Sequence, residues 1–252
     1  EYLDVDEILK YFAVNTFLVN LDSYASNLKH NYYLYERNGI FQILPWDLNM
    51  SFAAFQMKDA QEAINFPIDT PVNGDTMENS PLLSKLLEVD EYKERYYQYL
   101  RTLVTEYIES GEYEDSLSQI DVLIRDYVAN DPTAFYTYEE YQKAVPVLLQ
   151  FGYDRAKSVM AQLEGEQPST SYGDISTSVD LSLLGSNGMG GPKKDRNQVE
   201  WDASNENPPW VDQKPNQDRG QAPPDRNGEN QGMKHPMDRR NVITKDIWII
   251  IG

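Results

Sequence analysis

Residues 22–52, DSYASNLKHNYYLYERNGIFQILPWDLNMSF, decide the fold. Two β-prone runs, 32–36 (YYLYE) and 40–44 (IFQIL), are joined through Arg37, Asn38 and Gly39. Asn-Gly between such runs is the strongest short-range signal of a β-hairpin. Pro45 stops the second run and holds its predecessor extended, so Trp46 and Asp47 emerge from the strand end. Two acidic residues, Asp22 and Asp47, thus flank a short aromatic-rich hairpin, with the amide of Asn31 just ahead of its first strand. A backbone ladder holds such groups at fixed separations, which is how a few side chains make a rigid cation or phosphate site.

Outward from the hairpin the pattern is helical. Residues 5–20 read as a helix capped by Asp4 or Asp6, with Glu7 suited to its first turn. Ile8, Tyr11, Phe12, Phe17, Leu18 and Val19 make it apolar on more than one side, so it is predicted buried. Residues 53–80, punctuated by Pro67, Pro71 and Gly74, read as a mostly irregular excursion bordering the site. Ser80 and Pro81 open a new helical region. A long amphipathic helix follows from Asp90, with Tyr92, Tyr96, Tyr99, Leu100, Leu103 and Tyr107 at spacings of three and four. Tyrosines at that spacing predict a core with polar rims rather than a ligand stripe. Another helix is expected over about 113–129, with Leu117, Ile120, Leu123, Ile124 and Tyr127 on its face, and a last one over 138–163, interrupted near Pro146 and Gly152.

Periodicity disappears after residue 166, where Gly, Pro, Asn, Asp and Gln dominate. Such composition buries too little apolar surface to offset chain entropy. Residues 167–246 are therefore expected to be a disordered linker, with at most a short ordered piece near 175–184. Residues 247–252 (IWIIIG) are apolar and follow Arg239, Arg240 and Lys245; they read as the start of a membrane anchor or as a sticky terminus. The fold expected is α+β and mostly helical, one domain over 1–166 followed by the tail.

The chain carries a formal charge of −19, of which residues 1–166 hold −17. A field of that sign repels nucleic acid and attracts cations and basic polypeptides. No cysteine is present, which rules out disulfides and thiolate metal sites. Glu1 opens directly into helix-like sequence, with no secretory signal. Walker-type loops, G-x-S-x-G and H-E-x-x-H are absent, and the histidines are His30 and, in the tail, His235.

The chemistry therefore falls to Asp22, Asn31 and Asp47. A hard cation such as Mg²⁺ takes one or two carboxylates plus phosphate oxygens and water. Asn31 and one aspartate meet that need and leave the other aspartate to orient a hydroxyl nucleophile. Asp, then Asn, then a hairpin, then Asp is also the order in protein kinases. On chemistry alone each has a plainer reading: Asp22 as a helix-end residue, Asn31 as a strand start, Asp47 as a turn former. His30 reads as a hydrogen-bonding or packing residue, and Trp46 as core filling beneath the site. A hydrolase using Asp22 and Asp47 as a carboxylate pair also stays open.

The segments LVNLDSYASNLKHNYYLY and GIFQILPWDLNMSF resemble the CotH kinase family, named for spore coat protein H, and the likeness continues through PLLSKLLEVDEYKERYYQYL and FGYDRAKSVMAQL. It spans about residues 1–165. It implies the C-terminal lobe of an atypical protein-kinase-like fold, using ATP and Mg²⁺ or Mn²⁺ to phosphorylate Ser/Thr hydroxyls of basic, Ser-rich proteins. By that resemblance Asp22 matches the catalytic Asp, Asp47 the metal-binding Asp and Asn31 a second metal-associated group. Asn49 stands where the family often has another Asp, so a charge is lost while an oxygen ligand survives. The lobe holding the ATP-contacting Lys would precede residue 1, so this stretch alone is expected to be a poor kinase. Such a protein is expected to be secreted, at a spore coat or cell surface. The competing expectation is a non-catalytic surface-assembly protein that keeps the kinase-like fold.

Overall fold

The computed structural model describes residues 2–185. It is a mostly helical α+β domain with one small antiparallel hairpin. Helix α1 (Val5–Phe17) lies at its centre. Asp4 caps it, accepting from the Glu7 N–H at 3.3 Å, so the first of the two expected caps is the one used. Ile8, Leu9, Phe12 and Phe17 are all but inaccessible, on more than one face, as the apolar pattern requires. Against α1 pack α3 (Pro81–Leu87), α4 (Asp90–Thr102) and α6 (Tyr138–Leu163). Leu83, Tyr96, Leu100, Ala156 and Val159 close the core around it.

The hairpin pairs β1 (Tyr32–Arg37) with β2 (Ile40–Pro45), Arg37 opposite Ile40. The turn is Asn38-Gly39, and both residues have positive φ (58° and 81°), the backbone that a two-residue hairpin turn demands. Residues 2–4 flank β2: the Phe41 N–H donates to Tyr2 O, and the Asp4 N–H donates to Phe41 O. The tyrosines of α4 behave as core with polar rims. Tyr96 is fully buried and donates to the Ile68 carbonyl at 2.9 Å, Tyr97 donates to Asp69, and Tyr99 to Asp6.

Several expectations change. Residues 53–80 are not merely a cover: α2 (Ala60–Ile64) lies within them, and Ile64, Phe66 and Ile68 are buried with Val19, Leu21 and Phe151 or the main core. The long tyrosine helix is not uniform, because its final turns, Leu103–Ile108, widen to π geometry. Helix α5 (Glu112–Asn130) has Tyr113 as its buried residue, whereas Leu123 and Tyr127 face solvent. Helix α6 is not interrupted. It begins with a capping box between Thr137 and Glu140, and its C-terminal half is buried, so packing carries it through Pro146. Gly152 is there for close approach, since a Cβ would overlap the Tyr113 ring.

Order also extends beyond residue 166. The Asp69 N–H donates to Ser169 O, Asn65 exchanges two bonds with the Ile175 backbone, and Val179 is buried. Residues after 166 are thus tied to the body, the short ordered piece expected near 175–184 among them. Polar side chains on the body, Asn65, Asp69 and Asp154, hold the strap where apolar periodicity gave no signal. The rest of the expected linker, 186–246, and the apolar stretch 247–252 lie outside the described residues. Among the described residues no helix is long and apolar enough to cross a membrane.

Candidate functional site

The loop that carries Asp22 begins with a backbone anomaly. Val19, fully buried and β-branched, has φ 49°, a conformation that Gly takes freely and Val resists. It is held there from both sides: the Val19 N–H donates to Thr16 O, and its own carbonyl accepts from the Ala53 N–H. Leu18 O accepts from the Phe52 N–H at 2.7 Å. These two bonds tie the segment after the hairpin to the end of α1, so the chain before Asp22 and the chain after Asp47 run side by side.

Small polar side chains then set the loop. Asn15 donates to Tyr11 O, and Asn20 donates to Asn15 Oδ1, both at 2.9 Å. Asn20 Oδ1 in turn accepts from the Asp22 N–H at 3.2 Å, and Ser23 and Ser26 bond back to backbone carbonyls. Asn and Ser compete well for backbone partners in such turns. The 73–80 turn braces the other side. Lys29 Nζ donates to Ser80 Oγ at 2.6 Å, pairs with Asp75 at 2.8 Å and sits over the Tyr24 ring. Lys29 holds Asp75 well below the usual carboxylate range, at about 2, with Asn79 and the Thr76 N–H assisting.

At the centre, both oxygens of Asp22 are engaged. The Asn31 amide donates to Oδ2 at 2.9 Å, and His30 Nε2 meets Oδ1 in a short contact. The Asp22 side chain is largely buried, while His30 is half exposed. Asn31 is itself left-handed (φ 54°), and its carbonyl accepts from the Trp46 N–H at 3.2 Å. The hairpin ladder thus ends one residue before Asp47. Asp47 is exposed, left-handed (φ 50°), and makes no capping bond to the 3₁₀ turn Leu48–Met50 that follows it.

Asp22, His30 and Asn31 are therefore joined by hydrogen bonds, and Asp47 follows Trp46, whose N–H is bonded to Asn31. Trp46 is not core: it is 56% exposed and packs edge-on against Tyr33, because it lies past the strand end on the solvent side. Asn49 is exposed as well and lies at the mouth of a cleft formed with α5 and α6. Among the described residues, no group of three or more His, Asp or Glu is arranged to hold a metal ion. The Asn31 amide nitrogen is committed to Asp22, while the Asp47 carboxylate makes no capping bond.

One contributor escaped the sequence reading. Arg155 is fully buried and donates to four backbone carbonyls, those of Thr16, Phe17, Ile64 and Phe66. They belong to the C-terminal ends of α1 and α2, where the helix dipoles favour a cation. Burial pushes the guanidinium down to about 9, still charged at neutral pH. Its sequence signal was placement on the apolar face of α6, four residues from both Phe151 and Val159.

A family model described as CotH kinase protein matches residues 1–159. None of the curated proteins and none of the solved structures compared with the chain matches it.

Proposed function

Because the chain belongs to the CotH kinase protein family, we propose that Asp22, Asn31 and Asp47 form the phosphoryl-transfer half of an ATP- and divalent-metal-dependent protein Ser/Thr kinase. In this reading the domain is the C-terminal lobe of an atypical protein-kinase-like fold acting on basic, Ser-rich proteins of a spore coat or cell surface. The observation that carries it is the clamp on Asp22 by His30 and Asn31, placed at the base of the hairpin that presents Asp47.

Asp22 accepts the proton of the acceptor hydroxyl and orients its oxygen, the part an aspartate plays ahead of a hairpin in phosphoryl transfer. His30 and Asn31 fix the rotamer of that carboxylate. Asn31 Oδ1 and the Asp47 carboxylate are the groups that would hold the divalent ion, with Asn49 as a neutral oxygen donor two residues on. When bound, nucleotide and metal supply the transferable phosphoryl group and the neutralisation of its charge. Val19, Asn31 and Asp47 all hold left-handed backbone, the kind of strained geometry that collects at functional sites.

The test uses the full-length gene product with labelled ATP, Mg²⁺ or Mn²⁺ and a basic Ser-rich peptide, beside Asp22→Ala and Asp47→Ala. Transfer that both substitutions abolish is the expected result. Absence of nucleotide binding would overturn the reading in favour of a non-catalytic surface-assembly protein. Transfer that survives both changes would place the chemistry elsewhere.

A further inference from the structure

A cleft of about 230 Å³ opens between residues 48–54 and the facing sides of α5 and α6. Leu48, Phe52, Leu117, Ile124, Val145 and Leu148 make its walls apolar. We propose that this cleft seats an aliphatic side chain of a basic polypeptide substrate, a few residues from the hydroxyl it presents to Asp22. The proposal rests on the phosphotransfer reading above and adds to it a sequence requirement on the substrate.

Position is the first argument. Asn49, two residues after Asp47, lies on the cleft, and Phe52 in its wall is bonded through its N–H to Leu18 O, four residues before Asp22. Two residues of chain reach no more than about 7 Å. A polypeptide lying along the segment that carries Asp47 therefore meets the cleft mouth within a few residues. The second argument is an unmet hydrogen bond. Ser51 also lines the cleft and is 4% exposed, yet its hydroxyl has no partner, one of two such buried side-chain oxygens among the described residues. Leaving a buried hydroxyl unpaired costs about 1–3 kcal/mol. An extended peptide brings backbone N–H and C=O groups alongside its side chain, and so brings a partner as well as an apolar group.

Charge selects the kind of polypeptide. Residues 1–166 hold −17, and Asp121 stands in the cleft wall, shared by Arg125 and Tyr141. A basic chain is drawn to such a surface, and acidic polymers are repelled. The occupant is thus a peptide of basic character with one large aliphatic residue near its Ser or Thr.

Fluorescence anisotropy tests this with the whole chain and a labelled Lys/Arg/Ser peptide in which Leu is walked through the positions flanking the serine, each against its Gly counterpart. At one position Leu should tighten Kd by about tenfold, the scale of burying one aliphatic side chain. Ala144→Phe, which fills the cleft, should erase that gain while the Gly peptide binds as before. Amide shifts in residues 48–54, 117–124 and 144–148 that follow the Leu peptide and not the Gly peptide give a second readout on the unaltered chain. Binding that is blind to Leu at every position, with no such shifts, overturns the cleft and leaves the phosphotransfer reading standing. A Leu gain that persists where nucleotide fails to bind does the reverse. If Ala144→Phe instead turns a dimer into a monomer in sedimentation, the cleft is a surface between copies and the proposal fails.

Discussion

Asn31 holds Asp22 with its side chain and Trp46 with its backbone: its amide donates to Asp22 Oδ2 at 2.9 Å while its carbonyl accepts from the Trp46 N–H at 3.2 Å. One residue thereby couples the loop that presents the candidate base to the strand end that presents the candidate metal ligand. Its left-handed backbone is what lets both bonds form at once.

That double role separates by substitution. Asn31→Ala removes the donor to Asp22 and also strains the backbone, since Ala at φ 54° costs roughly 1–2 kcal/mol. Asn31→Gly removes the same donor without the strain. Transfer should fall by about a hundredfold or more in both, whereas thermal unfolding should separate them, with Gly the more stable. Equal activity in Asn31→Gly and the parent chain would remove Asn31 from the site.

Arg155 is predicted to be the most costly single side chain to lose. Arg155→Met keeps much of the volume but takes a charged donor from four buried carbonyls, leaving Thr16 O to the Val19 N–H and Phe66 O to the Gln162 amide, and stripping that donor from Phe17 O and Ile64 O. At about 1 kcal/mol or more for each, the loss approaches the stability of an ordinary domain. Urea unfolding should show a drop of about 4 kcal/mol; a change below about 1 kcal/mol would mean that other donors replace the guanidinium.

The reach of sequence reasoning follows from which signals are local. The hairpin is legible because Asn38-Gly39 carries its own backbone preference, and α1 because its apolar residues cover more than one face and confine Asp6, Glu7 and Lys10 to its first turns. Trp46 was misplaced because an aromatic beside a Pro looks like core, while only the ladder reveals that it lies past the last pair. Continuity of α6 was hidden by Pro146 and Gly152, residues that end helices unless tertiary contacts intervene; here Gly152 makes room for Tyr113. Arg155 carries no local signal because a lone Arg in a helix usually snorkels to solvent. The strap after 166 shows in sequence only as a short piece near 175–184, because polar side chains far away in sequence hold the rest.

That strap gives a third prediction. Asn65 donates to Ile175 O at 2.8 Å and accepts from the Ile175 N–H at 3.1 Å, and Gln61 also donates to that carbonyl. Ending the chain after Glu166 leaves Asn65 and Gln61 without these partners and uncovers the pocket of Val179. Compared with a chain ending after Gly185, it should unfold at lower urea concentration, by about 2–4 kcal/mol. Superimposable curves would place the domain boundary at 166.

Acid should release the brace on the site loop. The Lys29 ammonium beside Asp75 holds its carboxyl down at about 2, below the ordinary aspartate value of 3.8. A carboxylate depressed on folding contributes stability that is present above its unfolded pKa and lost as pH falls through the folded one. Here that window runs from about 3.8 down to about 2. Stability measured across it should fall less steeply in Asp75→Asn than in the parent chain. An unchanged slope would show that the Lys29 contact is made without any shift at Asp75.

Asp47 offers the sharpest separation of function from fold. Its φ of 50° is unfavourable for most side chains, it is exposed, and it makes no capping bond, so no contact among the described residues repays its geometry. Strained residues without a structural return gather where a ligand is met. Asn tolerates the left-handed region at least as well as Asp, and it is nearly the same size. Asp47→Asn should therefore unfold within about 0.5 kcal/mol of the parent, the range of an ordinary surface change. Phosphate transfer by the full-length gene product should meanwhile drop by two orders of magnitude or more, because an amide replaces the carboxylate that the proposed function gives to the metal. Raising Mn²⁺ should recover part of that loss, since a weakened site is refilled by mass action. A variant that is as stable as the parent and equally active would leave the left-handed turn at Asp47 without a functional cause.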